Sequence, residues 1–188
     1  VEMVRWGKAK GLNITAEVAP HHFILTDEAV IDYRTFSKMN PPLRAESDRL
    51  ALIEGLADGT IDAIATDHAP HDSESKRVTM QEASFGIVGL ETMLSLSLAL
   101  YHRKHLSLRE VLGAMTYKAA DIIHANAGRL KIGAPADLTL LDPNHDWTIT
   151  NAALNSKSKN SPFDGVETRG RALRTVVGGE CVYFFGES

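Results

Sequence analysis

The residues best suited to chemistry lie in Thr66-Asp67-His68-Ala69-Pro70-His71-Asp72, directly after the apolar run Ile61–Ala65, and a second pair, His21-His22, follows Ile14–Ala19. Imidazole nitrogen and carboxylate oxygen together hold a divalent ion. A carboxylate beside such an ion can carry a proton from an attacking water to a leaving group. Metal-assisted hydrolysis is the chemistry this grouping would serve, with Asp67 as its first candidate. Helix capping and loop bracing use the same residue types, and the run lacks the His-Glu-x-x-His spacing that sets two zinc ligands one helical turn apart. Spacing alone leaves both readings open.

Both groups fall where strands should end. Apart from Asp62, Ile61–Ala65 is short, apolar and rich in residues that suit a strand buried on both faces of a parallel sheet. Pro70 then stops its regular continuation. Ile14–Ala19 likewise reads as a strand running into Pro20. A helix precedes each strand: Val1–Lys10, with Gly11 as a left-handed cap, and a helix opened by Ser47 and Asp48, with Leu50, Ile53 and Leu56/Ala57 facing inward and Gly59 closing it. Two helix–strand units would place the His/Asp groups at the carboxyl ends of parallel strands, where α/β folds build active sites. Residues 23–44 lack a period and contain Asn40-Pro41-Pro42, which predicts a long loop over those strand ends. Residues 72–84 are polar without period, which predicts a mobile loop beside the site.

Downstream, Leu90–Tyr101 is apolar all round and should be a buried helix. Ser107 with Glu110 forms a capping box and Leu106 with Val111 a hydrophobic staple, predicting a helix to about His124. From Gly128 the pattern turns β-rich over Leu130–Asp142 and Ala172–Phe185, with Val177-Gly178-Gly179-Glu180 as a two-residue hairpin turn. The expected fold class is α/β, with residues 1–128 forming βα units and residues 129–188 a β-sandwich segment. At 188 residues, with 44% hydrophobic and 23% charged side chains, the chain can bury a core. A net charge of −4 without blocks of like charge argues against nucleic acid and anionic membranes as partners, and no apolar run reaches membrane-spanning length. Cys181 is the single cysteine, which excludes an intrachain disulfide and a four-cysteine zinc site. A reducing, cytoplasmic setting is the simplest expectation. The start, Val1-Glu2-Met3-Val4-Arg5, reads as mid-helix, so a longer parent protein is expected.

Five stretches, taken in order, carry a family resemblance: Glu17-Val18-Ala19-Pro20-His21-His22, Asn40-Pro41-Pro42-Leu43-Arg44, Thr66-Asp67-His68-Ala69-Pro70-His71, Phe85-Gly86-Ile87-Val88-Gly89-Leu90-Glu91-Thr92 and Gly133-Ala134-Pro135-Ala136-Asp137-Leu138. Over essentially its entire length the chain resembles the class I dihydroorotases of the amidohydrolase superfamily. The Asp-His-Ala-Pro-His run is the most specific of the five. The last stretch is shared across the superfamily. The resemblance implies the C-terminal part of a metal-dependent (β/α)8 (TIM) barrel followed by part of a small β-sandwich domain. It implies reversible hydrolysis of the cyclic amide of dihydroorotate to N-carbamoyl-aspartate, in pyrimidine biosynthesis. Asp67 matches the aspartate that ligates a metal and carries the proton to the leaving amide nitrogen. Asn40, His71 and the Phe85-Gly86 backbone match positions that hold the substrate ring and its carboxylate. His68 takes a supporting place, and His21 and His22 receive no metal role, remaining site-lining or structural.

The resemblance also implies that the remaining metal ligands, a His-x-His strand, a bridging acid or modified lysine and two later histidines, belong to earlier barrel strands. An intact site would hold two Zn2+, and this chain alone should be inactive. A second copy of the chain and aspartate carbamoyltransferase are the protein partners it raises. Two competing readings stand beside it. A hydantoinase- or allantoinase-type cyclic amidohydrolase would share the ligand aspartate, though His71 with Asn40 favours a carboxylate-bearing substrate. A non-catalytic dihydroorotase-like subunit would only scaffold the carbamoyltransferase, though retention of Asp67 and His71 weighs against that.

Overall fold

In the computed structural model, which describes residues 1–186, helix α1 (Glu2–Ala9) leads into strand β1 (Glu17–Val18) and the short helix α2 (Pro20–Ile24). Helix α3 (Glu46–Ala57) leads into strand β2 (Ala63–Ile64), which pairs with β1 in parallel, Glu17 opposite Ala63 and Val18 opposite Ile64. These are the two expected helix–strand units, side by side. Asp62, the acid within the apolar run, is held by the Lys8 ammonium at 2.6 Å and by the Ala16 N–H at 2.9 Å, so it ties α1 to both strands. Beyond β2 the chain makes one more parallel bridge, His68 to Ile87, with the Ala69 N–H donating to Ile87 O at 2.8 Å. Everything between those two residues is an excursion that leaves and rejoins the same strand end.

That excursion contains the short helix α4 (Ser73–Lys76), capped by the Asp72 carboxylate, which accepts from the Ser75 N–H at 2.9 Å. Helix α5 (Met93–His102) follows and is buried as expected. Its Leu98 and Leu100 join Val18, Phe23, Ile53, Leu56, Ile64 and Val111 in one core. Its Leu96 joins a second core with Met39, Leu43, Ile87, Ile149 and Phe163. A helix serving two cores has no face to give to solvent, which explains its uniform apolarity.

Several local expectations change. Leu50 faces outward, 46% exposed, while Ile53 and Leu56 are buried, and α3 begins at Glu46 with Ala45 as a cap that offers no side-chain oxygen. The capping box at Ser107 and Glu110 forms, and Leu106 and Val111 enter the core together. The helix it opens breaks at Thr116 into α6 (Leu108–Met115) and α7 (Tyr117–Ile122). The Thr116 hydroxyl bonds back to Leu112 O at 2.7 Å, a local alternative that competes with helix continuation. The loop of residues 23–44 is not featureless, since it carries the end of α2 and tight 3-10 turns at Asp27–Tyr33 and Thr35–Ser37.

The β-rich tail is a three-stranded antiparallel sheet, β3 (Leu138–Thr148), β4 (Glu167–Val177) and β5 (Glu180–Phe184), in that order. Gly178 and Gly179 turn β4 into β5 at φ +58° and +88°, the left-handed pair that a two-residue hairpin requires. Between β3 and β4 the chain returns to the helical layer, where Ile149 and Phe163 are fully buried. That return brings Asn160 to the end of β2.

Candidate active-site edge

Asp67 stands one turn of backbone beyond β2, exposed, with φ +48°. Aspartate tolerates this left-handed geometry better than bulkier residues, and non-glycine residues held there cluster at functional positions. Facing it from the end of β1 is His21, which Pro20 directs into the helical turn of α2. His21 is 2% exposed, and burial, followed by the nearby His22 ring, pushes its pKa down to about 3. Its ring is therefore neutral, and the 3.9 Å approach of its Nε2 to Asp67 Oδ2 is a contact between imidazole and carboxylate, not an ion pair. That Nε2 is buried and has no hydrogen-bond partner. A buried nitrogen without a partner, aimed at an exposed carboxylate, suits a polar site completed by a further group, and a divalent cation on Asp67 fits that place. Among the described residues no three His, Cys, Asp or Glu side chains lie close enough to hold such an ion together.

Asp67 borders an open cleft of about 460 Å³ with His22, Asn40, Pro41 and Arg44. The His22 Nε2–H donates to Pro41 O at 3.0 Å, fastening the Asn40-Pro41-Pro42 turn over the end of β1 and leaving Asn40 exposed. His68 supports the strand end, its Nδ1 accepting from the Gly89 N–H at 3.0 Å and more weakly from the Leu90 N–H at 3.4 Å.

His71, Phe85 and Gly86 do not line that cleft and are bound to one another instead. The His71 Nε2 lies 2.8 Å from Phe85 O, and because a carbonyl only accepts, Nε2 carries the proton of that bond. The Gly86 N–H donates to Lys38 O at 2.9 Å, two residues before Asn40. Gly86 O accepts from Lys76 Nζ at 3.0 Å and from Asn160 Nδ2 at 3.3 Å, which fills both lone pairs. The backbone groups of Gly86 are thus engaged inside the protein. Its φ of +97° and the 2.5 Å that would separate an added Cβ from the Ala69 Cβ require glycine there.

Two residues of this edge gave no signal in the sequence. Asn160, 1% exposed, donates from Nδ2 to Ala69 O at 2.9 Å and accepts the His71 N–H on Oδ1 at 3.1 Å, stapling the Ala69-Pro70-His71 segment to Gly86. Lys76 lies in the stretch expected to be a mobile loop, yet it is completely buried.

Residues 8–182 match the Amidohydrolase family. The chain is 54% identical over 183 residues to a dihydroorotase from Wolbachia sp. subsp. Drosophila simulans (strain wRi), covering 97% of this chain and 42% of the relative. It is 52% identical over 181 residues to a dihydroorotase from Citrifermentans bemidjiense, covering 96% of this chain and 43% of that relative. Its backbone is similar to that of the L-hydantoinase (dihydropyrimidinase) from Arthrobacter aurescens, at a TM-score of 0.90 and 31% identity over 99% of this chain and 43% of the other. The chain spans less than half the length of the curated relatives it matches. In that frame β1 and β2 are the parallel strands of the C-terminal part of a (β/α)8 barrel, and β3–β5 are part of the sandwich that follows. Matches that run through nearly the whole chain, in residues and in backbone alike, converge on one assignment: the chain belongs to the amidohydrolase family.

Proposed function

We propose that the chain is the C-terminal part of a dihydroorotase, which hydrolyses the cyclic amide of dihydroorotate reversibly to N-carbamoyl-aspartate. The observation that carries this reading is Asp67, an exposed carboxylate at the end of a barrel strand with a buried, unpartnered imidazole nitrogen 3.9 Å from it. Relatives named dihydroorotase at 52–54% identity support it over the L-hydantoinase from Arthrobacter aurescens, which is 31% identical. Amidohydrolases are generally metal-dependent, and we name zinc, two ions per complete site. Bound there, zinc would polarise the amide carbonyl and lower the pKa of the attacking water. Asp67 would ligate it, take the proton of that water and return it to the leaving amide nitrogen. His21 would line the site beside that carboxylate, and His68 would support the strand end.

Asn40 would bind the substrate carboxylate with its amide N–H. His71 would accept a ring N–H on Nδ1, and the Phe85-Gly86 corner would close the ring against the strand end. The same reading divides the chain into barrel units at residues 1–128 and a sandwich segment at 129–188, with Ile149–Phe163 lying back against the barrel core. It places the enzyme in the cytoplasm, working on a small molecule in pyrimidine biosynthesis. A second copy of the chain or aspartate carbamoyltransferase would be its protein partners.

The deciding experiment compares kcat/KM of the full-length protein on dihydroorotate, hydantoin and allantoin, before and after chelation and with zinc restored. Preference for dihydroorotate, lost on chelation and regained with zinc, is expected. Preference for hydantoin would replace the reading with that of its structural neighbours, and no turnover at all would favour a scaffold.

A further inference from the structure

Lys76 has no exposed surface. Its Nζ donates to Ser84 O at 2.7 Å, Gly86 O at 3.0 Å and Lys38 O at 3.4 Å, and among the described residues no carboxylate pairs with it. Its own carbonyl accepts the Thr35 hydroxyl. The Ser84 N–H reaches back to Ser75 O at 3.0 Å. Segments 35–38 and 84–86, distant from each other in sequence, therefore converge on the ammonium carried by 73–76. Burial, followed by the Lys38 ammonium, lowers its pKa to about 8, while the carbonyl cage favours the cation, so it is charged at neutral pH.

Lys38 works on the same corner. Its Nζ donates to Ala83 O at 2.6 Å and Gln81 O at 3.1 Å and sits 4.3 Å from the centroid of the Phe85 ring. Two cations thus bracket residues 81–86 despite their mutual repulsion. A buried ion is weak support for stability, because an apolar chain of equal length fills the same space without the desolvation penalty. What an ammonium does and a methyl group cannot is draw three carbonyls to one point. All three carbonyls belong to the two segments carrying Asn40 and Phe85-Gly86: Lys38 O to the first, Ser84 O and Gly86 O to the second.

We propose that Lys76 is a positioning residue that fixes the spacing between the Asn40 loop and the Phe85-Gly86 corner without touching substrate. The proposal rests on the reading of those two segments as substrate-facing. In the full-length protein, Lys76→Met should leave the urea midpoint near that of the wild type, raise KM for dihydroorotate roughly tenfold or more and change kcat far less. Amides of residues 84–88 should exchange hydrogen faster. Lys76→Ala leaves an empty channel the length of the stem. n-Propylammonium chloride, which matches the three methylenes and ammonium removed, should lower its KM and restore amide protection, and it should do neither for Lys76→Met, whose channel is filled. If Lys76→Met lowers the urea midpoint, the amine response of Lys76→Ala decides. Unchanged KM and exchange in Lys76→Met, or an equal amine response in both variants, would overturn the proposal. Absence of dihydroorotate turnover in the wild type would instead sink the functional reading, and the exchange measurements would still test Lys76.

Discussion

Replacing Asn160 by leucine, a side chain of similar volume, removes three hydrogen bonds and almost no packing. The loss is uneven across its partners. Gly86 O keeps Lys76 Nζ at 3.0 Å, so it is not orphaned. Ala69 O loses the Nδ2 donor at 2.9 Å, and the His71 N–H loses the Oδ1 acceptor at 3.1 Å. A buried backbone group left without a partner costs about 1–3 kcal/mol. Ala69 and His71 are each only half-buried, so about 1.5 kcal/mol apiece is the working figure, or about 3 kcal/mol in all. Urea unfolding of the full-length protein should show a lower midpoint at unchanged slope. Asn144→Leu, at an exposed asparagine, is the control and should stay within about 0.5 kcal/mol. Because Asn160 locates His71 against Gly86, kcat/KM on dihydroorotate should also fall roughly ten- to a hundredfold. If Asn160→Leu shifted the midpoint no more than Asn144→Leu does, the staple would carry no weight and the reasoning would be wrong.

Asp67→Asn in the full-length enzyme should lower kcat roughly 10²–10⁴-fold, since the proton carrier is lost, and should lower bound zinc measured by elemental analysis. Near-normal kcat would refute the role given to Asp67. Gly86→Ala combines a left-handed φ of +97° with a Cβ 2.5 Å from the Ala69 Cβ, and should destabilise by roughly 2–5 kcal/mol in a urea titration. Lys76 predicts a pH effect whose sign is opposite to that of a surface lysine in an ion pair. Its pKa of about 8 lies below its ordinary 10.5, so between those values the unfolded chain binds a proton that the folded chain does not. Stability should rise with pH through that window, by at most about 3 kcal/mol because the carbonyl cage opposes the shift. The rise, read as the difference between wild type and Lys76→Met in parallel urea titrations, should be present in the first and missing from the second.

What could be read in the sequence depended on how far apart in the chain an interaction's partners lie. The strand before Asp67, the Ser107–Glu110 box and the Gly178-Gly179 turn are each set by neighbours within a few residues, and each formed, although the strand is confined to Ala63–Ile64 within the longer apolar run. Asn160 meets Ala69 across 91 residues, and no periodicity or spacing connects them. Lys76 was hidden differently, because a lysine among Ser, Glu and Gln reads as a solvated face until the fold brings three carbonyls to it. Leu50 followed the helical period yet faces outward, since a period gives a stripe but not its exact centre. His21 was placed correctly at a strand end, but its burial and unpartnered Nε2 depend on α2, a turn too short to leave a pattern.

The parallel bridge from His68 to Ile87 also bears on how such a protein can change over time. Because both ends of the excursion are fastened to the same strand end, its length is nearly free: each doubling of a flexible loop costs only about 0.6 kcal/mol in closure entropy. Within it, Lys76 fastens one side and the carbonyls of Gln81 and Ala83 the other, which leaves Arg77–Met80 as the span where residues can be gained or lost. Residues in that span can change while Asp67, one residue before the bridge, stays where it is. Variation in the excursion is thereby separated from the strand-end carboxylate that precedes it.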